Sequence, residues 1–540
     1  MLQLKTHTVS NEIERAYAMA TSLEHRKKFA QFFTPFPIAR LMAKWLLGNN
    51  ELHAVLEPAF GLGIFSRVLL EARKDLIIKG FEIDQNIYDK ARDVFGGIRN
   101  VDIMLQDYMY NDWEHKYDGI ICNPPYFKFH DYDNKNVLKE IEKRLSFKLN
   151  GFTNLYTLFL LKSIYQLNPN GRAAYIVPSE FLNADYGKLV KSYLIKSGVL
   201  RHIIVVNFEQ NVFEDALTTA SILLCAKDEA EKKVQFNTIH SWSDLEKLEK
   251  NIKQYPSYLN NNQIFSLNEL TPEIKWRSYY QKQNATKFKH LVPFSNYGKV
   301  VRGIATGANE YFGFNVSKAQ EFDIKKEYLL PCICKAVDVK ESFFTTAHFE
   351  VLREKDKTVY LLNATNTADI QITKYLQKGK DEAVHEKYLT SKRNPWYVLE
   401  NRPPAPIWVS VFNRNGLRFI KNEANVSNLT TFHCIYPVQT NLFSTVSLDL
   451  LFAYLLTDTA KQIFEDNRRE YGNGLQKFEP NDINKAQMLD LKLIDTDTER
   501  NILEYYYLYR ESVLNEKPAE NYVSEINKIL IEYFTQCNNE

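Results

Sequence analysis

Short apolar segments recur along the first half of the chain, and longer stretches with helical spacing separate them. The segments have the length and composition of buried strands. Strands are predicted at residues 53–56, 76–81, 101–105, 117–122, 171–178, 202–206 and 220–225, and helices at 37–47, 66–73 and 154–161. Because strands alternate with helices, we predict an α/β fold built on a largely parallel sheet.

The first predicted strand leads directly into a glycine-containing loop. Glu57 ends the strand, Gly61 and Gly63 follow, and a helical stretch begins near Ser66. This arrangement lets a ligand approach the backbone closely at a helix N-terminus. The dinucleotide pattern Gly-x-Gly-x-x-Gly is incomplete, since Ser66 occupies its third position. Glu57 would repel a pyrophosphate, so we expect a ligand with a donor or a positive charge.

Acidic residues also follow the next two predicted strands. Glu82 lies about 20 residues beyond the glycine loop, where an acid commonly holds a ribose hydroxyl pair. Asp107 can accept a hydrogen bond from an adenine amine, with Ile83 or Tyr108 against the ring. Each acid alone is equally well interpreted as a solvated carboxylate. Three acids at successive strand ends indicate a ligand crevice at that edge of the sheet.

The fourth predicted strand ends in Asn123-Pro124-Pro125-Tyr126. The side-chain oxygen of Asn123 and the carbonyl of Pro124 can both accept hydrogen bonds from one exocyclic amine. The paired prolines fix φ and remove backbone donors, so the loop presents acceptors. Tyr126 offers a flat face on which a base can stack. For the tetrapeptide alone, a rigid turn with a surface Tyr is the alternative interpretation.

Together with the upstream Phe32-Phe33-Thr34-Pro35, these segments resemble the S-adenosylmethionine-dependent methyltransferases that modify the exocyclic amine of adenine in DNA. Their order, with cofactor motifs first, the catalytic loop next and a recognition region last, resembles the gamma (Taq-type) class of restriction–modification systems. The resemblance implies a doubly wound, Rossmann-like sheet with an antiparallel end, S-adenosyl-L-methionine as cofactor, and no metal. Two features depart from the family pattern: Glu57 stands where many relatives carry Asp, and Phe60 makes the glycine loop bulkier.

The resemblance also implies roles for individual residues. Asn123, Pro124 and Tyr126 would hold the target adenine. Phe213 would stack on the opposite face of the flipped-out base, although a place in the core is an equally good interpretation. The residues expected to line the cofactor are Thr34, Pro35, Glu57, Ala59, Gly61, Glu82, Ile83, Asp107, Tyr108 and Pro125.

Composition restricts the class of protein. At 540 residues the chain is too long for one core, and its 45% hydrophobic content is ordinary for a globular protein. It contains no apolar stretch of 18 residues, and its N-terminus lacks the pattern of a signal peptide. The six cysteines form no Cys-x-x-Cys pair, which argues against a disulfide framework or a zinc site. We therefore expect a cytoplasmic protein without a membrane segment.

The net charge of +2 is distributed unevenly, with +1 over residues 1–270, +7 over 271–480 and −6 over 481–540. A polar, linker-like stretch at 228–263 indicates a domain boundary. We predict a catalytic domain over residues 1–260, a DNA target-recognition domain of α+β type over 261–485, and a helical tail over 486–540. The acidic tail has apolar residues at helical spacing and is expected to form a helical cap.

The basic middle section also contains amides and aromatic residues, a mixture suited to phosphate binding and base recognition. A solvated surface with a slight basic excess would have the same charge. The candidates for DNA contact are Arg302, Asn309, Arg414 and Lys477.

Double-stranded DNA is the expected partner, bound by a monomer. We found no convincing nuclease site, so a cognate restriction endonuclease is expected to be a separate chain. Two alternatives stay open at this point. The enzyme could methylate an RNA base or a protein glutamine amide, since both substrates are handled by the same tetrapeptide. The chain could also be a non-catalytic DNA-binding subunit with a vestigial cofactor pocket.

Overall fold

The computed structural model describes residues 11–127, 135–149, 153–184, 186–207, 220–258, 263–281, 284–364, 369–413, 416–438, 446–470 and 476–536. The chain divides into two compact units. The first comprises Met1–Lys282 with Glu470–Gly474, and the second comprises Gln283–Arg469 with Leu475–Glu540. Among the described residues, no helix is both long enough and apolar enough to cross a membrane.

The first unit is built on a nine-stranded sheet. Its strands are β1 (Ala54–Glu57), β2 (Ile77–Glu82), β3 (Val101–Leu105), β4 (Tyr117–Cys122), β5 (Leu167–Pro178), β6 (Leu200–Val206), β7 (Ala220–Ala226), β8 (Lys233–Ile239) and β9 (Ile264–Ser266). They lie in the order β3-β2-β1-β4-β5-β7-β6-β8-β9. Strands β1 to β5 are parallel, and β7 runs antiparallel to both of its neighbours. The predicted doubly wound sheet with an antiparallel end is confirmed, and β8 and β9 extend it.

Helices cover both faces of this sheet. The helices of the first unit are α1 (Glu12–Ala20), α2 (Leu23–Lys28), α3 (Phe36–Leu47), α4 (Ile64–Ala72), α5 (Gln85–Phe95), α6 (Lys135–Leu145), α7 (Leu155–Gln166), α8 (Glu180–Asn183), α9 (Gly187–Ser197), α10 (Trp242–Lys253) and α11 (Arg277–Tyr280). One buried cluster joins the sheet to α3, α4 and α10, and a second joins it to α6, α7 and α9. This two-sided burial explains why almost every residue of β4, β6, β7 and the second half of β5 is buried.

The stretch at 228–263 is not a linker, so that interpretation of the sequence is wrong for β8 and α10. Strand β8 pairs in parallel with β6. Helix α10 buries Leu245, Leu248 and Ile252 on one face. The alternating Lys and Glu residues that suggested a linker occupy the solvated faces of this amphipathic helix.

The second unit has mixed α and β structure. Its strands are β10 (Leu291–Pro293), β11 (Gly298–Arg302), β12 (Gly313–Phe314), β13 (Leu329–Ile333), β14 (Phe343–Phe344), β15 (Tyr360–Leu362), β16 (Ile407–Ser410), β17 (Phe412–Asn413), β18 (Phe419–Asn422), β19 (Ser427–Asn428), β20 (Phe432–Pro437), β21 (Arg469–Glu470), β22 (Gln476–Lys477) and β23 (Gln487–Leu489). The larger sheets have the orders β11-β20-β16-β18-β14 and β12-β15-β13-β19. The α+β class predicted for this region is therefore confirmed.

The helices of the second unit cover these sheets and form the end of the chain. They are α12 (Asn309–Phe312), α13 (Val316–Glu321), α14 (Thr346–Glu354), α15 (Ile370–Asp381), α16 (Leu448–Leu456), α17 (Asp458–Glu465), α18 (Pro480–Asn484), α19 (Thr496–Leu514) and α20 (Glu520–Gln536). Helices α19 and α20 form the tail. They bury Ile502, Tyr506, Ile526 and Leu530 in the same core as the almost fully apolar α16.

The bulky ring of Phe60 in the glycine loop requires glycine at two neighbouring positions. Its ring is buried against Phe95, with ring centroids 5.2 Å apart. A Cβ atom on Gly80 of β2 would overlap the Phe60 ring, and one on Gly63 would come within 2.6 Å of it. Gly63 also has φ of +68°, which non-glycine residues rarely adopt. The large residue in the loop is thus accommodated by glycines on both sides.

We expect Gly80→Ala to lower the free energy of unfolding by about 1–3 kcal/mol, because the added methyl group overpacks the space held by Phe60. Urea unfolding followed by circular dichroism would measure this change. In a Phe60→Leu background the methyl group has room, so the cost of Gly80→Ala should be smaller. An equal cost in both backgrounds would contradict the proposed cause.

Candidate active site

A cavity lies at the ends of the parallel strands β1 to β4, where the predicted polar residues meet. Its walls contain nine of the ten residues expected at the cofactor, all except Pro35. These are Thr34, Glu57, Ala59, Gly61, Glu82, Ile83, Asp107, Tyr108 and Pro125. Asn123 lines the same cavity. Parallel strands bring their C-terminal ends to one sheet edge, which explains why residues so distant in sequence converge.

Glu57 is almost completely buried at the start of the glycine loop, with 1% of its surface exposed. Its Oε2 accepts hydrogen bonds from the backbone N–H of Ser66, at 3.0 Å, and from the Ser66 hydroxyl. Burial raises the pKa of Glu57 to about 8, although the two Ser66 bonds and the charge of Arg67 oppose the shift. This carboxyl group is therefore largely neutral at pH 7, and a nearby cation would favour its ionised form.

Glu82 ends β2 and is held by three backbone donors. Its Oε2 accepts from the N–H of Gly61 at 2.9 Å, and its Oε1 accepts from the N–H groups of Ile83 and Asp84 at 2.8 and 3.0 Å. These bonds oppose the burial that raises the pKa of Glu82. They also fix the carboxylate at the position where the sequence predicts a ribose.

Asp107, Tyr108 and Ile83 form the next part of the wall. Asp107 accepts a hydrogen bond from the N–H of Met109 at 2.8 Å. Tyr108 is fully buried, and its hydroxyl donates to Oε1 of Gln166. Ile83 is about half exposed, at 49%. Of the two side chains expected against an adenine ring, Ile83 is thus the more accessible.

Two upstream acceptors fix the amide of Asn123. Its Nδ2 donates to the carbonyl oxygen of Phe32 at 2.8 Å and to Oγ1 of Thr34 at 3.1 Å. A backbone carbonyl only accepts, so the amide nitrogen must face Phe32. Both amide hydrogens then have partners, and Oδ1 is the acceptor that the side chain can offer to a substrate.

Of the other residues expected at the target base, two are absent from the cavity wall and one lies outside the described residues. Pro124 is buried, and neither it nor Tyr126 is among the cavity-lining residues. The Tyr126 hydroxyl donates to the carbonyl of Ile176 at 3.3 Å, and the Tyr126 ring lies nearly parallel to that of Phe32, 6.4 Å away. Tyr126 is held between β5 and the Phe32 segment, with part of its surface exposed. Phe213 lies outside the described residues.

An N-terminal segment, residues 11–34, contributes wall residues that the sequence did not indicate beyond the Phe32–Pro35 stretch. They are Glu14, Phe29, Ala30 and Gln31. The buried Asp84 anchors the segment: its Oδ2 lies 2.8 Å from Nε2 of His25 and 2.6 Å from Nε2 of Gln31. Contacts between residues more than 50 positions apart leave no local sequence signal. Only the apolar spacing of α1 could have indicated an amphipathic helix.

In the second unit, three of the four candidates for DNA contact line one groove, namely Arg302, Asn309 and Lys477. Glu479 lies between the two cations, with its carboxylate 3.0 Å from Arg302 and 2.6 Å from Lys477. Burial opposes ionisation of Glu479, but the bonds from Lys477 and Arg302 outweigh it and lower its pKa. Arg414 lies outside the described residues.

Two family profiles match the chain. One, described as N-6 DNA Methylase, matches residues 15–291, which include every residue that lines the cavity except Glu14. The other, described as the C-terminal domain of Type II methyltransferase M.Eco57I, matches residues 275–528.

Individual proteins resemble the chain over most of its length. It is 63% identical to Type II methyltransferase M.AccI of Acinetobacter calcoaceticus over 99% of both chains. It is 23% identical to Type II methyltransferase M.XamI of Xanthomonas campestris pv. amaranthicola over 85% of both. Among solved structures, a nuclease-deletion mutant of the Type ISP restriction-modification enzyme LlaGI has a TM-score of 0.52 at 12% identity. The match covers 89% of this chain and 54% of LlaGI, and it supports the fold alone.

The identity to M.AccI and the N-6 methylase profile, which covers half of the chain, agree with the acceptor arrangement at Asn123. Proteins of this family depend on S-adenosylmethionine. The chain belongs to the N-6 DNA methylase family and is a type II, adenine-specific DNA methyltransferase of a restriction–modification system.

Proposed function

We propose that the chain binds S-adenosyl-L-methionine in the cavity and transfers its methyl group to the N6 amine of an adenine flipped out of a short duplex recognition sequence. The observation that carries this proposal is the fixed amide of Asn123, whose Nδ2 is engaged by Phe32 and Thr34. Oδ1 is thereby presented as an acceptor beside a cavity suited to the cofactor.

The polar groups of the cavity wall fit the cofactor in chemistry. Glu57 lies at the glycine loop, where the cationic methionine end would be placed. Glu82 would accept from the ribose hydroxyls, and Asp107 from the adenine amine, with Ile83 packing on the ring.

The chain's residues supply positioning and electrostatics, since the sulfonium of the bound cofactor provides an already activated methyl group. The target amine is a poor nucleophile because its lone pair is delocalised into the purine ring. Hydrogen bonds to Oδ1 of Asn123 and to the carbonyl of Pro124 would favour a pyramidal nitrogen and align its lone pair. The same two acceptors would stabilise the positive charge that develops on the amine before it releases a proton.

The target base must leave the duplex, which costs a few kcal/mol of stacking and pairing. Tyr126 and, by family resemblance, Phe213 would offset this cost by stacking on the extrahelical base. Tyr126 is suited to this because the bond from its hydroxyl to Ile176 limits the movement of the ring.

The groove of the second unit is the proposed DNA contact, with Arg302, Asn309 and Lys477 facing the duplex. Arg414 is proposed as a further contact. Methylation would protect cytoplasmic host DNA from a cognate restriction endonuclease on a separate chain. We further propose that one copy acts alone, with the first unit as the catalytic domain and the second unit as the recognition domain. The boundary predicted at residue 260 moves to residue 282, because β9 pairs with β8 in the first sheet and α11 also belongs to the first unit.

We expect the wild-type protein to transfer labelled methyl groups to unmethylated genomic DNA, with methyladenine in one short sequence by single-molecule sequencing. Asn123→Ala should reduce transfer by at least about 10²–10³-fold, because the amine loses an acceptor needed in the transition state. Cofactor affinity should be retained, as measured by calorimetry.

Asn86→Ala is a matched control for this experiment, since Asn86 is exposed on α5 outside the cavity. It should leave methyl transfer unchanged. Loss of cofactor binding in folded Asn123→Ala would contradict the role given to Asn123. Transfer to RNA or protein in preference to duplex DNA would overturn the proposed substrate.

Cofactor binding is expected to release protons near neutral pH. Free Glu57 has a pKa of about 8 and is mostly protonated at pH 6–7.5. A cationic ligand stabilises the carboxylate and lowers this pKa, so binding expels a proton and the affinity rises with pH across that range. Calorimetry in buffers of different ionisation enthalpy would measure the released protons. In Glu57→Gln the release should be reduced, and an unchanged value would contradict this assignment.

Glu479→Gln should strengthen non-specific DNA binding and steepen its salt dependence. The substitution removes one negative charge between Arg302 and Lys477, which frees both cations for phosphate. Arg302→Ala should reduce the salt slope by about 1. Arg353→Ala serves as the control, because Arg353 lies on α14 and does not line the groove. Fluorescence anisotropy over a salt series measures these slopes, and a weaker-binding Glu479→Gln protein would refute the expectation.

A further inference from the structure

Helix α1 brings a buried acid to the cavity from outside the sheet. Glu14 is 3% exposed and forms an ion pair through Oε1 with Nη2 of Arg67, which is equally buried on α4. The other carboxylate oxygen, Oε2, is buried and has no hydrogen-bond partner among the described residues. Glu14 is also one of the residues that line the cavity. A buried acceptor without a donor is costly, so this oxygen calls for a partner that the described protein does not supply.

The charges around Glu14 define what that partner is. Among the described residues that line the cavity, four are acidic and none is Lys, Arg or His. Arg67 lies behind the wall, and its charge acts on both Glu14 and Glu57. The carboxyl groups of Glu14 and Glu57 thus share one guanidinium. When both are ionised, a ligand with a positive charge would neutralise the remaining negative charge.

The position of Glu14 along the cavity indicates which part of the ligand it would contact. Its partner Arg67 follows Gly63 by one helical turn, and the adjacent Ser66 binds Glu57. Glu14 therefore lies at the end of the cavity marked by the glycine loop. Glu82 and Asp107 lie at the ends of β2 and β3, where the nucleoside is expected.

We propose that Glu14 is a further cofactor-binding residue, whose carboxylate accepts a hydrogen bond from the α-ammonium group of S-adenosylmethionine. The proposal rests on the S-adenosylmethionine site proposed above and adds a ligand-binding role for α1. Arg67 positions the carboxylate through Oε1, which leaves Oε2 for the ligand. The charged bond also couples the docking of the N-terminal segment to occupancy of the cavity, since α1 gains a contact only when the amino-acid end of the ligand is present.

Three ligands separate this role from other effects of a substitution. S-adenosylmethionine carries the amino acid and the sulfonium, S-adenosylhomocysteine carries the amino acid without the sulfonium charge, and methylthioadenosine lacks both. Calorimetry with each ligand on the full chain measures binding without reference to activity. Glu14→Gln should weaken binding of the first two by about 10-fold and leave methylthioadenosine within twofold. Glu12→Gln, an exposed acid on the same helix, should change none of the three.

The other outcomes each overturn the proposal. Equal weakening of all three ligands would mean that Glu14 only holds α1 in place. Weakening of S-adenosylmethionine alone would assign the carboxylate to the sulfonium. Unchanged binding of all three would remove Glu14 from the site. Failure of the wild-type protein to bind any of the ligands would instead contradict the proposed function itself.

Circular dichroism would show whether Glu14→Gln folds. If it does not fold, a second variant tests the same proposal. Glu14→Asp keeps the charge opposite Arg67 but shortens the side chain by one methylene group. It should weaken the two amino-acid-bearing ligands and spare methylthioadenosine. Wild-type affinity of Glu14→Asp for S-adenosylhomocysteine would overturn the proposal.

Discussion

The orientation of the Asn123 amide is the constraint on which the chemistry proposed for the cavity depends. If the amide were rotated by half a turn, Oδ1 would face the carbonyl of Phe32, and two acceptors would meet without a hydrogen between them. The acceptors that prevent this belong to a segment 89–91 residues upstream of Asn123. That segment is held in turn by Asn11, which bonds the carbonyl of Thr34 and the N–H of Phe36. Residues before the sheet therefore orient the acceptor at the end of β4, and the catalytic role proposed for Asn123 requires the N-terminal segment to be docked.

A second constraint is electrostatic. The cavity concentrates carboxyl groups whose burial disfavours their charge, and the protein compensates with backbone donors. Glu82 accepts three N–H groups, and Glu57 accepts the N–H of Ser66 in the first turn of α4, where the helix dipole also favours negative charge. The compensation at Glu57 is incomplete, since its pKa stays near 8. A site of this kind favours a cationic ligand over a neutral one, because only a cation offsets the remaining free-energy cost of ionising Glu57.

The sequence predicted the parts of the site that depend on strand ends. Strands β3 and β4 have the predicted bounds, and Glu57, Glu82, Asp107 and Asn123 meet because parallel strands end at one edge. Contacts made by tertiary packing were not predictable. Nothing local distinguishes the buried Glu14 from the exposed Glu12, and Arg67 identifies it only in the folded chain. Helix α10 was mistaken for part of a linker because its charged faces dominate its composition, while three buried apolar residues at helical spacing determine its packing.

The groove of the second unit shows how opposite charges can serve recognition in the proposed role. Free cations attract phosphate on any sequence, which increases affinity without discrimination. Glu479 forms ion pairs with both Arg302 and Lys477, so a ligand that binds these cations must replace those ion pairs. A phosphate oxygen can replace the carboxylate on the cations, but it repels the displaced Glu479. A base pair that accepts from Arg302 and donates to Glu479 satisfies both groups together. The acid among the cations therefore lowers the affinity for arbitrary DNA more than it lowers the affinity for a matching sequence, which is the difference that specificity requires.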